Sequence, residues 1–310
     1  MKYKDWAEIW LENYIKPSSK AKTFGRYSEI MKHHILPQFG ECEVENLVVI
    51  EIQKFITDLL NQGNKKTGKG LSANTVNAII TVIQGSLETA FNVGVSKVYI
   101  GKSIKRPKLE ENKVMCFNQA EQHKIEQTIL TGNKLKLYGI LLCLYTGLRI
   151  GELLALEWQD IDFSKEEISV NKTCHDGKNS NGVFCRLTDK PKTFSSIRTI
   201  PIPKQIIPYL KTLKKENKGK YVIEGKGECL SVRSYQKTFS CLLKKLKIEH
   251  KRFHSLRHTF ATRALECGMD VKTLSEILGH KNPNITLNRY AHSMMEHKKA
   301  MMNKIGKLLY

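Results

Sequence analysis

The sequence predicts a mainly α-helical chain in two domains, the second carrying a small antiparallel β-sheet. Three observations predict it. Apolar residues recur at helical spacing through most of the first hundred residues and again near the end of the chain. Three short β-type stretches fall between Glu167 and Ile202, with turn residues between them. The stretch GKSIKRPKLEENKV, from Gly101 to Val114, is polar, carries Pro107 and offers little to bury, as an interdomain connection does. The boundaries are drawn at a helical domain 1–105, a linker 106–114 and a second domain 115–310. At 310 residues the chain is long enough for two domains, each with a core of ordinary size.

The elements follow in chain order. Trp6, Ile9, Trp10 and Tyr14 share one face of a first helix. Thr23 to Ile35 forms a second, ended by Pro37 and Gly40. Val49 to Leu60 is a third, with Ile50, Ile52, Phe55, Ile56, Leu59 and Leu60 apolar. After the basic loop QGNKKTGKG, Ser72 caps a long fourth helix bearing Val76, Ile79, Ile80, Ile83, Leu87, Ala90 and Phe91, which Gly94 ends. The second domain opens with helices at Asn118 to Leu130 and Lys136 to Tyr145, the latter rich enough in Leu and Ile to be buried. Gly147 stops one helix, and Ile150 to Leu156 starts another. Strands are expected at Glu167 to Val170, around Val183 to Leu187, and at Arg198 to Ile202; Pro201 and Pro203 mark the last as an edge. Helices return over 206–216, 231–247, Ser255 to Cys267, Val271 to Leu278 and Ile285 to Tyr290. A terminal helix follows, with Met294, Met295, Met301, Met302 and Ile305 at roughly helical spacing.

Composition narrows the function. Lys and Arg number 51 against 30 acidic residues, a net charge of +21. The excess is +5 over residues 1–110 and +16 over 111–310. A charge this large points to a polyanionic partner, most simply nucleic acid, engaged more strongly by the second half. No apolar run approaches a membrane span, and MKYKDWAEIW places charges where an export signal needs an apolar core. The eight Cys form no C-x-x-C pair and read as reduced thiols of a cytoplasmic protein. Cys174, His175 and Cys185 fit no common zinc spacing. His254 and His258 have the i, i+4 spacing of a zinc pair, but Ser255 stands where H-E-x-x-H has its Glu. No G-x-x-x-x-G-K-S/T sequence offers a nucleotide site.

The stretch from His254 to Tyr290 gathers the residues best suited to phosphate chemistry. His254 and Arg257 lie three apart at a helix start, His280 follows the next helix, and Tyr290 stands about three turns beyond. Cationic and hydrogen-bonding groups can hold two oxygens of a phosphate, and a neighbouring Tyr hydroxyl becomes a nucleophile when a base or a charge assists it. A solitary His-x-x-Arg is ordinarily a surface pair and a solitary Tyr ordinarily packs, so the stretch alone leaves both readings open. Arg149 sits in TGLRIGEL at a helix start, a place that favours anions, with Glu152 three residues on to hold its guanidinium. Lys192 stands on the turn TDKPKTFSS, within reach of a phosphate or a leaving oxygen. Lys102, Lys105, Arg106 and Lys108 in the linker can follow a DNA backbone from one domain to the other.

These pieces resemble the tyrosine recombinases, the integrase family. The resemblance rests on TGLRIGEL around Arg149, PKT with Lys192 followed by SSIRTIPIP, HSLRH around His254 and Arg257, LGH with His280, and NRYAH with Tyr290. Each is weak alone; five in order are specific. The strict match covers about residues 140 to 293, while the first domain is similar, more loosely, to the family's helical core-binding (SAM-like) domain. The resemblance implies a mixed α/β catalytic domain in which Tyr290 attacks a DNA phosphate, giving a 3′-phosphotyrosine and a free 5′-hydroxyl. Arg149 and Arg257 would clamp the non-bridging oxygens, Lys192 would protonate the leaving 5′-oxygen, and His254 and His280 would share proton transfer and phosphate hydrogen bonding. Glu152 would orient Arg149. Neither metal nor other cofactor is implied, since the arginines supply the electrostatic stabilisation.

The implied partner is double-stranded DNA at core recombination sites, with four copies exchanging strands through a Holliday junction. The terminal helix would dock on a neighbouring subunit or pack on its own domain, accessory DNA-bending proteins are compatible partners, and the setting is the bacterial cytoplasm and nucleoid. Many integrases of mobile elements begin with a small arm-binding domain, whereas this chain opens on the helical domain. The motif style is closer to integrases of Gram-positive mobile elements. A type IB topoisomerase and a non-enzymatic DNA-binding protein are the rivals. The helical first domain and terminal helix favour recombination over the former, and the complete residue set argues against the latter.

Overall fold

The computed structural model describes residues 1–65, 67–109, 114–132, 134–178, 184–189, 197–225, 228–280 and 282–284, with 299, 302–303 and 305–307 of the tail. It divides into two compact units, Met1–Asn112 and Lys113–Tyr310.

The first unit is helical. Helix α1 (Tyr3–Trp10) continues through a π turn, Leu11–Ile15, to Ser18. Helix α2 (Ala21–Ile30) continues through a second π turn, Met31–Ile35, to Phe39. Both π turns precede a proline, Pro17 and Pro37. Proline lacks the N–H for the i→i−4 bond and its ring crowds that carbonyl; a local widening of the helix relieves both. Pro37 therefore does not end the second helix, contrary to expectation. Helices α3 (Val49–Gln62) and α4 (Ala73–Asn92) complete the bundle, with the Ser72 hydroxyl accepting from the Thr75 N–H as the expected cap. Trp6 and Trp10 are buried, and their indole N–H groups donate to Ser86 and Thr89 on α4. Tyr14, expected on the same face, is exposed because the π turn rotates the helix beyond Trp10, and Ile9, which precedes that turn, is exposed as well.

Residues 101–109 are tied to this unit. The Lys105 N–H donates to Gln53 (3.1 Å), and Asn77 donates to the Pro107 carbonyl (3.1 Å). The Arg106 guanidinium bonds Thr81 (3.2 Å) and Gln84 (2.5 Å). Ile104 is buried, while Lys102, Lys105, Arg106 and Lys108 keep exposed side chains.

The second unit is built round α6 (Tyr138–Thr146), preceded by α5 (Gln119–Leu130) and followed by α7 (Ile150–Ala155). Ile140 to Leu144 are all buried, as the apolar run required. Among the described residues the β-structure forms three small antiparallel sheets where one was expected. Strands β1 (Ile161–Asp162), β2 (Glu167–Val170) and β5 (Arg198–Pro201) pair antiparallel in the order β1-β2-β5, with Ile168 opposite both Ile161 and Ile200. Pro201 thus lies on an edge strand, where its missing N–H is harmless. Strands β3 (Thr173–Lys178) and β4 (Phe184–Asp189) form a separate hairpin, and β6 (Glu224–Gly225) with β7 (Glu228–Cys229) a third pair. The expected Val183 to Leu187 strand corresponds to β4. Its partner β3, TCHDGK, has no apolar alternation to announce it.

Helices α8 (Ile207–Glu216), α9 (Val232–Lys245), α10 (Ser255–Glu266) and α11 (Val271–Leu278) close the unit. Ala261, Ala264 and Leu265 of α10 meet Leu274 and Leu278 of α11 in one apolar cluster. Asp270 caps α11 by accepting from the Thr273 N–H (2.9 Å). Among the described residues no helix is long and apolar enough to cross a membrane, and no three or more His, Cys, Asp or Glu gather as metal ligands. The thiol of Cys174 lies against Cys229 (3.0 Å), on β7. The helix expected from Ile285 to Tyr290 lies outside the described residues, as does most of the terminal helix.

Candidate active site

Three backbone features converge on one point. Helix α6 ends at Gly147 in the left-handed region (φ 66°), and α11 ends in the same way at Gly279 (φ 63°). A Cβ on Gly147 would stand 2.6 Å from the Phe260 ring and 2.8 Å from Leu278, so glycine serves there for both conformation and space. Helix α7 starts at Arg149, which has extended backbone at the N-cap position. Its first turn lies directly under β3: a Cβ on Gly151 would stand 2.6 Å from the Cys174 carbonyl oxygen. Glu152, in that first turn, reaches back to accept the Arg149 N–H (2.9 Å), the backbone half of a capping box.

The carboxylate of Glu152 is the hub. Its side chain is only 7 % exposed. Oε1 accepts from Arg149 (2.7 Å) and Arg198 (3.1 Å), and Oε2 accepts from Arg198 (2.8 Å) as well as the Arg149 N–H. Burial alone would raise its pKa. The two guanidiniums, Arg198 foremost, outweigh burial and hold the carboxyl at about 2.

The second hub is the C-terminal end of α11. The last carbonyls of a helix lack intrahelical partners and carry the negative end of its dipole. Here three successive carbonyls each take a different arginine. Ile277 accepts from Arg198 Nε (2.5 Å), Leu278 from Arg257 Nη2 (2.6 Å) and Gly279 from Arg149 Nη2 (3.3 Å). Arg257 is 1 % exposed and also donates to the Gly147 carbonyl (2.9 Å). Its Nη2 lies 2.9 Å from His280 Nε2. A guanidinium can only donate, so Nε2 is the acceptor in this contact and the ring proton of His280 belongs on Nδ1.

Of the residues read from the sequence, the structure brings together Arg149, Glu152, Arg257 and His280. His254 stands at the N-cap of α10 with an exposed ring, 4.6 Å edge-on from His258. It borders a cleft of about 400 Å³ together with Leu148, Ile150, Gln236, Ser240 and Arg252. Leu148 and Ile150 flank Arg149, so His254 and the start of α7 border one opening. Lys192 and Tyr290 lie outside the described residues. Sequence reasoning missed Arg198. The signal was a charged residue opening an apolar strand, RTIPIP, immediately after a motif already recognised.

The geometry can be set beside known proteins. The family model described as "Phage integrase family" matches residues 108–297, and that described as "Phage integrase, N-terminal SAM-like domain" matches residues 2–60. The chain is 32 % identical to a "Tyrosine recombinase XerC-like" protein of Caldanaerobacter subterraneus subsp. tengcongensis, over 95 % of this chain and 80 % of that one. It is 27 % identical to the ICEBs1 integrase of Bacillus subtilis, over 94 % of this chain and 79 % of that one. Among solved structures it is similar to the Tn1549 transposon integrase in complex with a circular intermediate DNA. There the TM-score is 0.80 and the identity 23 %, covering 98 % of this chain and 99 % of that one. The first domain thus has the SAM-like helical fold, the second the fold of an integrase catalytic domain, and the chain belongs to the phage integrase family of tyrosine recombinases.

Proposed function

We propose that this chain is a site-specific DNA recombinase that integrates or excises a mobile element, cutting and rejoining strands through a 3′-phosphotyrosine intermediate. The observation that carries this reading is the convergence of Arg149, Arg257 and His280 on the end of α11, beside the cleft that His254 borders. The kinship with an ICE integrase and a transposon integrase supports a mobile-element role.

In this reading the scissile phosphate enters the cleft, and Arg149 and Arg257 hold its non-bridging oxygens. Their charge is set before DNA arrives, and fixed charges stabilise a pentacoordinate transition state without reorganising. Tyr290 Oη attacks phosphorus; the O–P bond forms as the bond from phosphorus to O5′ breaks. The phenol proton passes to His254, and Lys192 gives a proton to the departing 5′-oxygen. His280, with Nε2 accepting from Arg257, presents Nδ1–H as a donor. The attack of a 5′-hydroxyl from a second duplex reverses the step and joins new partners, so phosphodiester energy is kept without ATP.

The partner is double-stranded DNA, with Lys102, Lys105, Arg106 and Lys108 along its backbone. Four copies assemble on paired sites, each C-terminal helix docking on a neighbour, and accessory DNA-bending proteins shape the sites. The work is done in the bacterial cytoplasm, on the nucleoid. The test uses supercoiled plasmid carrying the element's ends, with EDTA present and an SDS stop. Wild type is expected to give relaxed DNA and protein-linked DNA, and Tyr290→Phe to give neither while binding DNA with near-normal affinity. Adducts from Tyr290→Phe would remove Tyr290 as the nucleophile.

A further inference from the structure

Arg149 poses an electrostatic problem. An arginine that is to stabilise a phosphate should not spend its charge on a carboxylate beside it, yet Glu152 touches it at 2.7 Å. Arg198 offers the solution. It opens β5, its side chain is 6 % exposed, and its fork spans both oxygens of Glu152 at 3.1 and 2.8 Å while Nε grips the Ile277 carbonyl. Arg149, by contrast, meets Glu152 through one side-chain nitrogen and keeps 36 % of its side chain exposed.

We infer that Arg198 is a positioning residue that neutralises Glu152 from behind, so that Glu152 orients Arg149 without cancelling the charge it presents to the scissile phosphate. Two features give the inference its weight. The forked contact is buried, where charge pairing is strongest and a carboxylate left alone would be most disruptive. The same guanidinium also fixes the helix end that receives Arg257 and Arg149, so one side chain ties β5, α7 and α11 together around the clamp. Without Arg198, Glu152 would compete with the phosphate for Arg149 and repel it.

This inference rests on the recombinase reading above, and the experiment separates the two. The cleavage site is mapped with wild type by its covalent adduct. Single-turnover cleavage is then measured on duplexes bearing either the ordinary phosphodiester or a neutral methylphosphonate at that site. Arg198→Gln is expected to slow the phosphodiester by about 10²-fold, the scale of one lost transition-state donor, and the methylphosphonate by about tenfold less. The charge-balanced pair Arg198→Gln with Glu152→Gln should regain at least about tenfold over Arg198→Gln, because no buried anion then remains to compete. Arg198→Lys, which keeps the charge and loses the fork, should fall between wild type and Arg198→Gln, and it serves in place of Arg198→Gln if that variant does not fold. Equal slowing of both substrates, or a double variant no faster than the single one, overturns the inference and reduces Arg198 to a structural tie. If wild type forms no adduct on either the element's ends or plasmid, the recombinase reading fails and this inference falls with it.

Discussion

Gly147→Ala tests whether the ends of α6 and α11 hold the phosphate clamp. The alanine must adopt φ 66°, and its Cβ would lie 2.6 Å from Phe260 and 2.8 Å from Leu278. The left-handed backbone costs a non-glycine residue about 1 kcal/mol. Overpacking against two side chains of a close-packed interface adds about 2 kcal/mol. The sum, about 3 kcal/mol, is a large share of a domain's stability. It falls where it matters most. Phe260 is on α10, one turn from Arg257, and both Gly147 and Leu278 lend Arg257 their carbonyls. Hydrogen exchange by mass spectrometry on the full chain should show α6 and α10 peptides exchanging roughly 10²-fold faster, the kinetic equivalent of that loss. Helices α3 and α4 of the first unit should be unchanged. Adduct formation should slow by about 10²-fold, as a displacement near 1 Å of a reacting group does. Unaltered exchange in α6 and α10 together with wild-type cleavage would refute the argument that glycine is needed there.

Two further outcomes concern Glu152 and Lys192. Glu152→Gln removes a carboxylate held at about 2 instead of the usual 4.5, a difference worth about 3 kcal/mol at neutral pH. Because the folded-state pKa is lowered, that contribution is complete above about pH 5.5, shrinks as pH falls through 4.5 and is gone near 2. Urea titrations at several pH values should therefore show wild type and variant converging in acid, and a constant gap down to pH 3 would contradict it. Lys192→Ala should slow cleavage at least about tenfold more with a 5′-oxygen leaving group than with a 5′-sulfur one, which needs no protonation. Equal slowing would deny Lys192 the acid role.

Much of this molecule is legible in its sequence where side chains report their surroundings at short range. The helices announce themselves because Val76, Ile79, Ile80, Ile83 and Leu87 can share a face only at helical spacing. Arg149 and Glu152 were readable as a pair because they are one turn apart. Arg198 was not, because its partners lie 46 and 79 residues away and its one local mark, a charge opening an apolar strand, does not say which partners it meets. Strand β3 was hidden by its polar TCHDGK, held by pairing with β4 and by the close approach of α7 rather than by an apolar face. Pro37 misled for the opposite reason: the rule that proline ends a helix is sound for the i→i−4 ladder, and the chain escapes it by widening one turn. The convergence of three arginines on three successive carbonyls has no sequence signature, since backbone acceptors look alike in every residue.

The arginine cradle has a consequence for how the protein comes into being. Arg149, Arg198 and Arg257 are all synthesised before the carbonyls of Ile277, Leu278 and Gly279 that receive them. Gly279 follows Arg149 by 130 residues. At usual elongation rates of 5–20 residues per second, that is a delay of roughly 6–26 s. Through that interval, and in any chain broken off before α11, the guanidiniums have their charge but not their alignment. The cradle that aligns the three guanidiniums is thus complete only once the end of α11 has been made.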